Sequence, residues 1–179
     1  MSLTDTTYFV RDCNIPNPTG STSTLQAALN RYEPEILNLI LGYGLAKLVL
    51  AYANPGSEQR IIDIVEGKEY TVGTYTVNWN GLKNTELVSI LTYYTYIQYM
   101  KDKSLSFQNV GSIASAVENG VNVGPGQLIQ RASALMRELI GYPGQDIYAP
   151  SLYNFLNAYT DTYPEWIWTE YEFENALGI

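Results

Sequence analysis

The sequence predicts a mainly α protein: a compact helical bundle carrying one small β-hairpin, a long projecting loop and an extended C-terminal arm. Three observations predict it. Apolar residues recur at helical spacing in several segments, among them Leu87, Ile90, Leu91, Tyr94 and Ile97. The period changes to two only once, between Glu69 and Trp79, where β-formers flank Gly73-Thr74. The last nineteen residues, 161–179, alternate aromatic and acidic side chains and contain no Lys or Arg.

Residues 1–23 read as an extended lead, because Pro16, Pro18 and Gly20 fall in one short polar run. The helical domain spans 24–160. Thr24 is positioned to cap a short helix ending near Arg31, and Pro34 fits the first turn of a second helix that stops before Asn54-Pro55-Gly56. Gly42 and Gly44 weaken that second helix by about 1 kcal/mol each relative to Ala. Two explanations stay open, a closely packed neighbour or a kink. Ser57 is placed to cap a helix over 58–66, and the hairpin of 69–79 follows. Asn84 or Thr85 caps a tyrosine-rich helix running to about Asp102. A long Gly-containing loop is expected at 104–126, then a helix from Gln127 to Ile140 with Leu128, Ala132, Leu135, Met136 and Leu139 facing inward. Ser151 starts a last short helix reaching Tyr159. The arm of 161–179 completes the chain and is expected to be dispensable for the helical fold.

Composition narrows the chemistry. The 179 residues include no histidine and one cysteine, Cys13. The commonest acid–base side chain and metal ligand is therefore missing, and no thiol pair exists to close a disulfide or a zinc site. The glycines of Gly42-Tyr43-Gly44 lack the third member and the preceding strand of a phosphate loop. Acidic pairs such as Glu33/Glu35 are better explained as solvated groups than as a glycosidase dyad. An enzyme is not expected, nor a metal or other cofactor. The net charge of −8 opposes phosphate backbones, so nucleic-acid binding is not expected either. Ile36–Ala53 is the most apolar stretch, but it is broken by Asn38, Gly42, Gly44 and Lys47, and so reads as buried and not membrane-spanning. The first residues lack the pattern of a signal peptide.

Only 16 % of the residues are charged, against a typical ~25 %, while 16 are tyrosines. Tyrosine presents a rigid contact area with a polar tip, which suits a surface that is wet before assembly and covered afterwards. Two sets stand out as candidate protein-interface residues. On the tyrosine-rich helix, Tyr93, Tyr96 and Met100 lie opposite the face that a core would use. In the arm, Trp166, Trp168 and Phe173 alternate with polar residues, as in a strand laid on a neighbour.

The layout then resembles a known family. A Pro-initiated helix precedes a short hairpin ending Trp79-Asn80-Gly81-Leu82. A tyrosine-rich helix, a long segment around Glu118-Asn119 and a further amphipathic helix follow. This arrangement, over roughly residues 25–160, resembles the head–tail connector (neck, adaptor or head-completion) proteins of tailed bacteriophages. The resemblance implies a homo-oligomeric ring in the virion neck, contacts with neighbouring neck proteins such as portal or tail components, assembly in the host cytoplasm and no catalysis. The acidic arm has no counterpart in that layout. Another virion part, such as a tail-terminator or baseplate protein, and an aromatic sugar-binding module remain as alternatives.

Overall fold

The computed structural model describes residues 2–15, 22–53, 56–108 and 125–168. The chain is mainly helical with one two-stranded antiparallel hairpin. Two 3-10 turns, Thr6–Tyr8 and Arg11–Cys13, precede α1 (Thr22–Leu50) and α2 (Gln59–Glu66). The hairpin follows as β1 (Lys68–Val72) and β2 (Tyr75–Trp79), then α3 (Ile90–Gln108), α4 (Pro125–Ile140) and α5 (Leu152–Ala158). Helix α3 lies in the middle, packed by α1 on one side and α4 on the other.

The lead is not merely extended. Tyr8, Phe9 and Cys13 are buried, and the Arg11–Cys13 turn packs on α3 and α4. Glu33 fixes the start of the chain. Its buried carboxylate accepts from the Leu3 N–H at 2.7 Å, the Thr4 N–H at 3.0 Å and the Thr4 hydroxyl.

The break in the first helical region falls at a different place from the one expected. Helical structure runs through Pro34, and the residue that leaves it is Gly42, at φ 73° and ψ 159°. A proline inside a helix deprives the carbonyl four residues earlier of its donor. Here that residue is Asn30, which is exposed, so water can take the bond. Gly42 sits in a region of backbone space essentially reserved for glycine.

The hairpin has the expected turn, Gly73-Thr74, and pairs Tyr70 with Val77 and Val72 with Tyr75. It is not left alone on the surface. Tyr70 meets Phe155 edge to face at 5.6 Å, and Trp79 stacks on the same ring at 6.2 Å. The pattern Trp79-Asn80-Gly81-Leu82 finishes helix α2. The Trp79 indole N–H and the Leu82 N–H both donate to the Ile64 carbonyl, and the Lys83 N–H donates to that of Val65. These are carbonyls that a helix end leaves without an internal partner. A Cβ on Gly81 would lie 2.6 Å from the Val65 oxygen, so only glycine lets the two segments touch.

Helix α3 starts later than expected, at Ile90. Asn84 makes a turn instead of a cap, accepting from the Val88 N–H and donating to the Val88 carbonyl, with Leu87 at φ 58°. Ser89 takes the capping role, and its hydroxyl oxygen accepts from the Leu91 N–H. The helix also continues past Asp102 to Gln108, and α4 begins at Pro125, a residue suited to a first turn. Of the loop expected at 104–126, residues 109–124 lie outside the described residues. On α4 the buried line is Ile129, Ala132, Met136 and Ile140, with Leu128, Leu135 and Leu139 only half-buried, so the face is turned by about one residue. Ser151 caps α5 as expected, accepting from the Asn154 N–H.

Candidate interaction surface

The structure separates the expected interface residues into three groups. Tyr93 and Tyr96 belong to the chain's own core, at 7 % and 1 % exposure. The face that carries them is covered by the Arg11–Cys13 turn and by α4, which an ion pair joins: Arg131 to Asp12 at 2.8 Å. Burial pushes the Tyr93 hydroxyl up to about 12, and it raises that of Tyr96 as well. Met100 is half-buried against the same core. The second aromatic face of α3 is therefore a second core layer within the chain, and Tyr93 and Tyr96 are not available as a free surface. Phe173 lies outside the described residues.

Trp166 and Trp168 form the third group, and both rest on their own chain. They point to one side, as period two requires, and each meets Tyr153 of α5, at 5.8 and 4.7 Å between ring centres. The Trp166 indole N–H donates to the Ile40 carbonyl, two residues before the break at Gly42. Of the two explanations left open for the glycines, the kink accounts for Gly42, while a neighbouring segment lies at ordinary contact distance from both. Helix α1 kinks at Gly42, and the main chain of Ile167 passes 3.7 Å from where a Gly42 Cβ would stand, with Glu165 3.4 Å from the Gly44 position. Arg60 completes this seat, gripping Glu165 through its two terminal guanidinium nitrogens at 2.7 and 3.0 Å. That bond holds the Glu165 carboxyl below its ordinary value. Tyr163 is buried, and its hydroxyl donates to the Arg60 carbonyl. Residues 161–168 are thus part of the body, contrary to the expectation that the arm from 161 is dispensable.

Tyr43 stands exposed by itself beside the kink in α1, and a paired exposed aromatic surface lies at the hairpin tip and the α4–α5 link. Tyr75 is 61 % exposed and Tyr148 44 %, and their rings meet edge to face at 5.0 Å. Tyr142 and Ile147 of the same link are exposed as well. Tyr148 is not a loose loop residue. The Asn154 amide donates to the carbonyls of Asp146 and Ala149, at 2.8 and 2.9 Å, and the Tyr148 N–H donates to the Asp146 carboxylate. A groove of about 420 Å³ runs between this link and β2, lined by Tyr75, Thr76, Asn78, Asn80, Tyr148 and Pro150. Its neighbour, of about 660 Å³, shares Asn78 and Asn80 and adds Tyr8, Lys83 and Glu86. The sequence carried a signal for this surface: apolar Tyr142, Ile147 and Tyr148 stand among turn-forming Pro143, Gly144 and Pro150.

Other chemistry has less support. Glu33 and Glu35 do not form a pair, since Glu33 is buried against Thr4 while Glu35 is exposed and accepts from the Tyr94 hydroxyl. Burial outweighs the three donors and leaves the Glu33 carboxyl above its ordinary value. Among the described residues, no group of three or more Asp, Glu or Cys is placed to hold a metal ion. None of the described helices is long and apolar enough to cross a membrane. No family model, curated protein or solved structure matches this chain.

Proposed function

We propose that this protein is a structural component that works by binding copies of itself and neighbouring proteins, as part of the head–tail connector ring in the neck of a tailed phage. The observation that carries the binding role is the exposed Tyr75–Tyr148 pair beside an open strand edge, held rigidly by Asn154. Large aromatics fixed on a firm scaffold lose little conformational freedom when covered, which favours stable association. The layout of helices and hairpin, together with a net charge of −8 that suits a conduit DNA must pass without sticking, supports the connector assignment. Native mass spectrometry and negative-stain imaging of the purified chain test it. Closed rings are the expected result, and a monomer that persists at high concentration would overturn it.

Sugar binding is the second reading. It is favoured by the same tyrosine pair standing next to the Asn78 and Asn80 amides, the combination that stacks on a sugar ring and bonds its hydroxyls. A monomer retained on immobilised glycans would favour this reading over assembly.

A further inference from the structure

Strand β2 leaves half of its backbone unpaired. A two-residue turn makes Val72 and Tyr75 a hydrogen-bonded pair, and such pairs alternate along an antiparallel ladder. Tyr70 with Val77 is the next bonded pair, so the N–H and carbonyl groups of Thr76 and Asn78 point away from β1. The sheet has only these two strands, and no backbone partner covers those groups among the described residues. Exposed edges of this kind are ordinarily blunted by charge, proline or a bulge. The partner strand β1 carries Lys68 and Glu69, whereas β2 reads Tyr-Thr-Val-Asn-Trp with neither charge nor proline. Beside this edge lies the 420 Å³ groove, with Tyr148 and Pro150 as its far wall.

One segment of the chain has the matching pattern. Glu170-Tyr171-Glu172-Phe173-Glu174 alternates strictly, which in a strand puts both aromatics on one face and three carboxylates on the other. Eleven residues, 169–179, follow Trp168, which is anchored on its own Tyr153. The alternating run begins two residues past that anchor, so in extended form it covers roughly 7 to 20 Å from Trp168, and the β2 edge that receives it must come within that distance.

We propose that residues 170–174 of one copy add as a third strand to the outer edge of β2 on a second copy. The Thr76 and Asn78 backbone groups then gain partners. Tyr171 and Phe173 enter the groove beside Tyr75, Tyr148 and Pro150, and the glutamates remain on the polar face with Thr76 and Asn78. The mode is strand addition, in which main-chain bonds supply affinity and alternate side chains supply specificity. It rests on the assembly reading above and names the contact by which copies join.

The test uses the full-length chain. Sedimentation first establishes whether the unmodified protein associates. Thr76→Cys and Glu172→Cys variants, both on the polar face of the proposed sheet, are then mixed and oxidised. Cys13 is enclosed in the core and does not compete. A disulfide-linked heterodimer joining 76 to 172 is expected, and none with Thr71→Cys on the opposite edge. Tyr171→Ser/Phe173→Ser in the full chain is expected to weaken association at least about tenfold, from loss of two aromatic contacts. Association without the 76–172 link, or undiminished by the double substitution, overturns the strand proposal and leaves the assembly reading standing. A Thr76→Cys/Glu172→Cys double variant that closes on itself at high dilution overturns the exchange between copies. A chain that never associates overturns both readings.

Discussion

Gly42→Ala is expected to destabilise the protein by about 2–3 kcal/mol, and Gly44→Ala to change it by less than about 1 kcal/mol, although the residues are two apart in one helix. The difference comes from the backbone. At φ 73° and ψ 159°, Gly42 occupies a conformation that costs a residue with a Cβ roughly 1–3 kcal/mol. Space is not the obstacle, since the added carbon would stand at ordinary contact distance, 3.7 Å, from Ile167. Alanine also favours the straight helix by about 1 kcal/mol. Straightening would draw the Ile40 carbonyl back into the helical ladder and away from the Trp166 indole. Gly44 keeps helical angles and its Cβ would lie 3.4 Å from the Glu165 Cβ, so propensity gained and contact tightened nearly offset each other. For a chain of this size each kcal/mol shifts Tm by roughly 2–4 °C, which puts Gly42→Ala about 4–12 °C lower. Thermal unfolding followed by tryptophan fluorescence reads both the shift and the release of Trp166. A neutral Gly42→Ala, or a Gly44→Ala variant equally damaged, would refute the account of the kink.

Three further outcomes are expected. Glu33 has a raised folded-state pKa, so its contribution to stability is greatest in acid and declines as pH rises from the ordinary glutamate value through the raised one. Glu33→Gln, which cannot titrate and turns an amide toward one of the Leu3 and Thr4 donors, should be less stable by about 1–3 kcal/mol, with the wild-type advantage shrinking as pH rises above the ordinary glutamate value in denaturant titrations. An advantage that grows with pH would reverse the sign and refute it. Glu165 is the opposite case: its lowered pKa adds stability above the ordinary carboxylate value, and that stability is lost as pH falls through the lowered one. Glu165→Gln should therefore cost roughly 0.5–1 kcal/mol near neutrality and almost nothing in acid, with the loss reduced by salt because the pair is partly exposed. Finally, ending the chain after Trp168 should leave Tm within about 2 °C, whereas ending it after Thr160 removes Tyr163, Glu165 and Trp166 and should lower Tm by about 10 °C or more. Equal Tm values for the two truncated chains would refute the division at Trp168.

Local signals hold in part: the caps expected at Ser57 and at Asn84 or Thr85 are not made, since Ser57 accepts from the Ala53 N–H and Ser89 caps α3. The hairpin and its turn follow from β-formers alternating around Gly73-Thr74, and the α5 cap from one serine followed by apolar residues. The kink was visible only as a weakness. Its cause, the chain at 165–167, lies more than a hundred residues away and leaves no mark near Gly42. Pro34 misled in the other direction, because its penalty depends on whether the deprived carbonyl of Asn30 meets water. The two faces of α3 show the same limit. Tyr93 and Tyr96 were surplus only if one neighbour was assumed, and the coverage by α4 and by the Arg11–Cys13 turn is long-range. A sequence signal did exist: Ile90 to Met100 contains no charged residue on any side, the mark of a helix buried all round.

The aromatic C-terminus divides at Trp168, the last residue seated on Tyr153 among those described. Both halves alternate, Trp166 and Trp168 first, then Tyr171 and Phe173, so pattern alone treats them as one arm. What separates them is whether the chain supplies a seat. For the first pair it does, with a helix kinked at Gly42, a carbonyl at Ile40 and an aromatic floor at Tyr153. Arg60 makes the placement specific, since a guanidinium held by Glu165 fixes that segment to one register. The second pair, Tyr171 and Phe173, lies three and five residues past that anchor. Holding the first half in cis gives the second half a defined starting point. In the proposed strand addition, that lowers the conformational freedom lost on docking, so a Trp168→Ala chain is expected to associate more weakly although residue 168 does not touch the partner.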